Sequence, residues 1–366
     1  MFIKDPLKLI LANTRSQWGN EGMRPTVREN FAKMIRCRTP ALGANVFASE
    51  LEERIIYFTC KSRTCPSCGH RLTILWQREL WASLPDIPYR GIVFTMPDVL
   101  WPIFKENRHL LHDLPVLGAG ALKQWFKIMY GVSVQMIVVP HTFGRHLNFN
   151  THLHILVSAG GLRSSDSSWI PSLGINKNAV MRIWKNAVIT FLLKALEAKV
   201  LKHNSGLGDL RTVLHTQSKR WWSIDIDYLA SKAHFLRYAA RYIRRPPIAQ
   251  HRFLKITHHE VEFLTNDLRK KRPVKTQYST REFVAALAEH VPDRYRHGIR
   301  YFGLLAPNSK GQTSAAIFTI LGQRIRPKPK RLNWALSLQK TFGSNPLIDS
   351  AGQPMRWVKH LSPVSA

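Results

Sequence analysis

Three constellations in the chain have residue types and spacings that could carry chemistry. The first is His152-Leu153-His154, which runs into Ile155-Leu156-Val157 and ends near Gly160-Gly161. On a β-strand, residues i and i+2 share a face, so both imidazoles stand together while Leu153 faces the other way. Such a pair can hold one divalent cation. The second is Tyr238-Ala-Ala-Arg-Tyr242, whose i, i+4 spacing puts both phenols on one helix face. Arg237, Arg241, Arg244 and Arg245 crowd the same segment. Guanidinium groups hold phosphates bidentately and favour loss of a neighbouring phenolic proton. A cation on His152 and His154 would polarise a non-bridging oxygen of a phosphodiester. A tyrosine oxygen attacking in line would give a 5′-phosphotyrosine and a free 3′-OH, a linkage that permits rejoining without ATP. The third is Cys37, then Cys60-Lys-Ser-Arg-Thr-Cys65-Pro-Ser-Cys68-Gly69. Two pairs of thiolates suit tetrahedral zinc, and a closed four-sulfur site is structural rather than catalytic.

Each pattern also has a plainer reading. With 16 histidines in the chain, about 0.7 His-x-His pairs are expected by chance. About 0.2 Tyr-x3-Tyr pairs are expected on the same basis, and a tyrosine pair can simply be half-buried on an amphipathic helix. The cysteines could be unrelated thiols, and His70 could replace Cys37 as a ligand. Two imidazoles need at least one more polar ligand. Gln135, His141 and His234 are the candidates, and the sequence does not choose among them.

Composition narrows the class. Lys and Arg number 54 against 23 Asp and Glu, a net charge of +31 over 366 residues. That excess calls for a polyanion, and nucleic acid is the default. Hydrophobic residues make up 45%, enough for packed cores. No run of 18 apolar residues and no signal-peptide pattern is present, so a soluble, intracellular protein is expected. In that setting four cysteines suggest a metal site rather than disulfides. Trp221-Trp222 beside Lys219 and Arg220 reads as a place where unpaired bases stack and phosphates are neutralised. Arg269-Lys-Lys-Arg272 and the run Arg324 to Arg331 read as phosphate contacts.

The elements that must position these groups are legible in outline. A Pro/Thr start and the spacing of Val27, Phe31 and Met34 predict a helix leading to Cys37. Residues 44–48 and 55–59 read as strands, and 72–84 as a helix carrying Trp76 and Trp81 near one face. Strands are expected at 90–95, 132–139 and 151–158, the last two forming an antiparallel hairpin around Gly144. Residues 101–130 read as helical with a break at Gly118 and Gly120. A long helix is expected over 180–201, a strand over 221–226, and the tyrosine helix over 227–244, stopped by Pro246-Pro247. Two short strands near Lys255 and Val261 precede a helix capped at Ser279. The segment after Pro307 mixes Gly, Pro and basic residues and reads as having less core. With no regular βαβ rhythm, the expected class is α+β with an antiparallel sheet.

Taken together and in order, these pieces resemble the IS91-type transposases, HUH nucleases with two tyrosines. The matching stretches are Cys60 to Cys68, Thr142-Phe-Gly followed by His152-Leu-His154 and Gly160-Gly161, and Arg237-Tyr238-Ala-Ala-Arg241-Tyr242-Ile-Arg244-Arg245-Pro. Arg281-Glu-Phe and Arg300-Tyr301-Phe-Gly303-Leu-Leu305 also match. The resemblance implies cleavage and transfer of single-stranded DNA at transposon ends and target, in rolling-circle-like transposition. It implies Mg²⁺ or Mn²⁺ at His152 and His154, nucleophiles at Tyr238 and Tyr242, and structural Zn²⁺ at Cys37, Cys60, Cys65 and Cys68. The expected layout is a helical, zinc-ribbon-like domain over 1–86 and an antiparallel ferredoxin-like HUH nuclease domain over 87–306. A basic DNA-facing region would follow over 307–366. Two departures stand out: Asn150-Thr151 precedes the histidine pair where relatives often carry a further histidine, and 346–352 has no cysteine pair. The rival readings are a zinc-containing DNA-binding protein without chemistry and a rolling-circle replication initiator or relaxase. A DDE-type recombinase is disfavoured, because no carboxylate triad stands out.

Overall fold

The computed structural model describes residues 5–202, 206, 208–242, 246–267, 272–330, 332–343 and 345–364. The chain begins with helices α1 (Pro6–Asn13), α2 (Arg15–Trp18) and α3 (Pro25–Arg36). Proline opens α1 and α3, at positions where its missing N–H costs no helical hydrogen bond. Val27, Phe31 and Met34 are buried, as their spacing predicts. Strands β1 (Ala44–Ala48) and β2 (Glu53–Tyr57) form a hairpin that leads to Cys60. Helix α4 (Pro66–Ser83) starts inside the cysteine knuckle rather than near Leu72, with Cys65 as its N-cap.

The central part contains β3 (Tyr89–Phe94), α5 (Trp101–Glu106), α6 (Leu114–Tyr130), β4 (Val132–Ser133), β5 (Gln135–Phe143) and β6 (Phe149–Ser158). Then come β7 (Gly161–Arg163), β8 (Trp169–Ile170), α7 (Lys177–Glu197), α8 (Leu210–Lys219), β9 (Ile224–Leu229) and α9 (Lys232–Tyr242). Helix α6 is continuous through Gly118 and Gly120, so the expected break is absent. Gly118 instead allows a close approach to the sheet, since a Cβ there would lie 2.4 Å from Leu153 Cδ1. The tyrosine helix begins at Lys232 rather than Asp227, because residues 227–229 pair with β3 and extend the strand.

The remainder comprises β10 (Phe253–Ile256), β11 (Glu260–Asp267), β12 (Arg272–Ser279), α10 (Thr280–Glu289), β13 (Arg300–Gly303), α11 (Pro307–Ile320), α12 (Trp334–Phe342) and β14 (Arg356–Leu361). Where two short strands were expected, three form a sheet in the order β10-β11-β12. Its third strand is polar and alternates only weakly in burial, so it carries little hydrophobic signal. Ser279 and Glu282 form the expected capping box at the start of α10. The last segment is more ordered than its composition suggests. Ile317, Phe318, Ala335 and Met355 are buried, and β14 returns to pair with β1.

Five strands form the central sheet in the order β13-β5-β6-β3-β9, every neighbouring pair antiparallel. Alternation along the strands sends Ile92, Phe94, Met136, Val138, Leu153, Ile155 and Val157 to one face, under α6 and α7. The opposite face presents Tyr89, Ile137, Val139 and Leu156 to α4 and α9. A separate cluster joins Leu7, Ile10, Phe31, Cys65 and Cys68 to Leu147, Val261, Phe263, Phe283 and Leu287. The zinc-knuckle region therefore shares a core with residues from the middle of the chain.

Candidate active site and zinc centre

The hairpin β5–β6 places the histidines. His141 on β5 is the direct cross-strand partner of His152 on β6, and His154 lies two residues on, opposite Val139. All three side chains occupy the face that carries α9. Their ring nitrogens lie within 4.8 Å of one another, and His152 Nε2 is 3.2 Å from His154 Nε2. His152 Nδ1–H donates to the carbonyl of Asn150 at 2.9 Å, which leaves its Nε2 lone pair turned toward His154. Burial holds the His152 imidazole below its ordinary range, and burial with the nearby His152 brings His154 down to about 3. Both rings are therefore neutral near pH 7, the form that ligates metal.

Of the three candidate third ligands, the fold brings in His141. Gln135 lies on the same strand as His141 but six positions away, roughly 20 Å along β5. Its residue pairs with Gly303, at the opposite end of the sheet. His234 is exposed on α9 and is not among the grouped ligands. Among the described residues, no carboxylate joins the three imidazoles. The donor set of three converging imidazole nitrogens fits a divalent transition ion.

Tyr238 sits on the same face of the sheet. Its ring lies over Gly91 of β3, where a Cβ would come within 2.6 Å of Tyr238 Cζ. Gly91 pairs with Leu156, two residues from His154 on the same face of β6. The tyrosine ring thus stands one strand over and one pleat along from the histidine group, roughly 7 Å along the strand direction. Helix α9 runs over β3 with Phe235 against Tyr89 and Tyr238 over Gly91. Its axis therefore advances toward the histidine end, and Tyr242 follows Tyr238 by about 6 Å of helical rise. Arg237 and Arg241 are exposed on this helix, whereas Arg244 and Arg245 lie outside the described residues.

Helix α9 is fixed by α4, which lies antiparallel to it. The buried Lys232 ammonium donates to the carbonyls of Trp81 and Leu84 at 3.0 and 2.9 Å, and pairs with Asp86 at 2.9 Å. Gln77 Nε2 donates to the Leu236 carbonyl at 2.8 Å. At the other end of α4, Cys37, Cys60, Cys65 and Cys68 converge. Their sulfurs are 3.7 Å apart for Cys37–Cys68 and Cys60–Cys68, and 3.9 Å for Cys37–Cys65. A tetrahedron of Zn–S bonds near 2.3 Å has edges of about 3.8 Å, so the cluster has the dimensions of a zinc site. Shared hydrogen bonds among the thiols hold Cys37 and Cys68 below the usual thiol range and push Cys60 and Cys65 up. Without a cation, four such thiols cannot all ionise. His70 is exposed and outside the group, so Cys37 is the fourth member.

Lys219, Arg220 and Trp221 are exposed just before β9, at the end of the sheet level with His152. Trp222, by contrast, is buried in the core, so only one of the two tryptophans can meet a base. Of Arg269-Lys-Lys-Arg272, only Arg272 lies within the described residues.

Residues 9–96 match a family described as a transposase zinc-binding domain, and residues 136–313 match one described as a putative transposase. The transposase for insertion sequence element IS801 of Pseudomonas savastanoi pv. phaseolicola is 31% identical over 332 residues, 88% of this chain and 80% of the relative. The chain belongs to the IS91-type transposase family. A putative transposase of Sinorhizobium fredii, y4qJ, is 27% identical over 310 residues, covering 80% of this chain and 77% of that protein. No solved structure matches the chain. The zinc-binding match spans all four cysteines of the cluster, and the second match spans the three histidines and both tyrosines of this transposase. Among the described residues, no helix is long and apolar enough to cross a membrane.

Proposed function

We propose that this transposase nicks and rejoins single-stranded DNA through 5′-phosphotyrosine intermediates, with Tyr238 and Tyr242 as nucleophiles. The observation that carries the reading is the placement of Tyr238 over Gly91, on the same sheet face as His141, His152 and His154 and one pleat away. A divalent cation held by the three imidazoles would supply Lewis-acid polarisation of a non-bridging phosphate oxygen. The tyrosine oxygen forms its bond to phosphorus as the bond to the 3′ oxygen breaks. The phenol gives up its proton, and the departing 3′ oxygen takes one up. Arg237 and Arg241, exposed on the nucleophile's own helix, are suited to hold the flanking phosphates. The reverse attack by a 3′-OH on the phosphotyrosine restores a phosphodiester and frees the phenol.

The five-stranded antiparallel sheet, with metal ligands on a central strand and the nucleophile helix across one face, supports assignment to the HUH nucleases. Two tyrosines on one helix suit a reaction in which one cleaves and the other accepts a second strand. The four-cysteine group lies at the far end of α4 from the Lys232 anchor, so a structural zinc held there would fix α4, and α4 holds α9. The test is mass spectrometry of peptide–DNA adducts after incubation with a single-stranded transposon end and Mn²⁺ or Mg²⁺. Adducts at Tyr238 or Tyr242 are expected. Adducts that persist in a Tyr238→Phe, Tyr242→Phe double variant would show that another group is the nucleophile.

A further inference from the structure

Beside His141 a cleft of about 1050 Å³ opens between the zinc knuckle, α3 and the loop that precedes β13. It is larger than most small-molecule pockets, which run to roughly 1,000 Å³. Its walls carry Lys61 and Arg63 from the knuckle and Arg296 and Arg300 from the loop side, against one carboxylate, Asp293. At its rim stands Tyr295, 96% exposed, with a φ of 60°. Bulky residues rarely adopt that left-handed conformation, so the surrounding chain must enforce it.

The enforcing contacts lie on both sides. Asp293 accepts from Arg24 at 2.6 Å, and Arg294 donates to Glu29 at 2.5 and 3.0 Å. Arg63 of the knuckle donates to the carbonyl of Arg296 at 3.1 Å and lies against Gly298, where a Cβ would be 1.9 Å from its Nη1. The loop is pinned to the zinc unit on either side of Tyr295, while the aromatic ring itself is left in solvent. A rigidly presented aromatic on the rim of a cationic groove is the arrangement that stacks an unpaired base.

We infer that the cleft is the path of the single strand to the histidines, with Tyr295 stacking a base and Lys61 and Arg296 facing its phosphates from opposite walls. This rests on the nuclease reading for its direction but can be tested without cleavage. It gives the zinc unit a second task, since the knuckle forms one wall of the groove. Trp221, exposed at the β9 edge beyond the histidine end, would meet the strand on its far side.

The probe is a fluorescent single-stranded oligodeoxythymidylate of about 16 nucleotides, bound to the zinc-loaded full chain without added Mg²⁺ or Mn²⁺. Tyr295→Ala is expected to weaken binding roughly tenfold. Tyr295→Phe keeps the ring and should bind as wild type, and duplex binding should be unchanged in both. Tyr295→Ala binding the single strand as tightly as wild type overturns the inference. Photocrosslinking of the wild-type protein to an oligonucleotide carrying 5-iodouracil needs no variant to fold. A crosslink at Tyr295 is expected, and crosslinks confined to other faces overturn the inference. If the Tyr295 crosslink forms while no adduct appears at Tyr238 or Tyr242, the nuclease reading fails and the groove stands. If adducts form but Tyr295 neither crosslinks nor matters for binding, the groove fails and the nuclease reading stands.

Discussion

The ring of Tyr238 lies directly over Gly91, with Cζ, Cε1 and Cε2 all within 3.0 Å of where a methyl group would project. Glycine at this position of a central strand is costly in itself, and the space it leaves is filled by the tyrosine. Gly91→Ala must lift the ring away from the sheet. We expect adduct formation at Tyr238 to fall at least tenfold, on the scale of a misplacement of about 1 Å. Unfolding stability should drop by only about 1–3 kcal/mol, the usual cost of an overpacked site. A Gly91→Ala protein that forms Tyr238 adducts at the wild-type rate would mean the ring position is immaterial to cleavage.

The three candidate ligands separate by metal titration. His141→Ala should weaken Mn²⁺ binding by tenfold or more, as measured by electron paramagnetic resonance, since it removes one of three converging nitrogens. Gln135→Ala and His234→Ala should leave that affinity unchanged, because neither residue reaches the group. Imidazole suits borderline transition ions better than Mg²⁺, which prefers oxygen. Mn²⁺ should therefore support cleavage at lower concentration than Mg²⁺, and equal requirements for the two ions would argue against an all-nitrogen site.

Zinc should be needed for more than its own domain. Chelation removes the ion, and Cys65→Ser together with Cys68→Ser removes its ligands at the start of α4. Because α4 anchors α9 through Lys232 and Gln77, adduct formation should disappear along with zinc content. Mn²⁺ alone should not restore it, whereas readded zinc should restore it to the chelated wild type. Cleavage by a protein shown to contain no zinc would break this link.

His290 gives a pH signature. It is buried, its Nε2–H donates to the Leu147 carbonyl at 2.9 Å, and burial brings its pKa down to about 4. The unfolded value is near 6.5. Between these values the unfolded chain binds the extra proton, so stability is fully present above about pH 6.5 and is lost as pH falls toward 4. The slope contributed by this one group approaches about 1.4 kcal/mol per pH unit in that window. The half-buried His152 and the buried His154, both shifted down, act in the same direction when no metal is bound. Denaturant titrations at pH 7 and pH 5 should therefore show a smaller loss in His290→Gln than in wild type. Identical losses in the two proteins would remove His290 as a source.

Much of the site was legible because it rests on local periodicity. The i, i+2 rule of a strand put His152 and His154 on one face, and the i, i+4 rule of a helix did the same for Tyr238 and Tyr242. The cysteine spacing announced a metal cluster, and net charge announced a polyanion. What these rules cannot reach is register between strands. Only the pairing of β5 with β6 sets His141 opposite His152 and carries Gln135 to the far end of the sheet. Gly91 and Tyr238 are distant in sequence and meet because β3 lies beneath α9. The role of α4 as a rod from the cysteines to the tyrosine helix likewise depends on packing between segments with no shared local pattern. Tyr295 offered no sequence signal at all, since its exposure and left-handed backbone arise from Arg63, Arg24 and Glu29, which approach from the N-terminal unit. The sequence by itself determined which groups could react and which faces they share. The tertiary structure decided that His141 joins His152 and His154, that Tyr238 lies over Gly91 and that a cleft opens beside His141, because those depend on contacts between elements far apart along the chain.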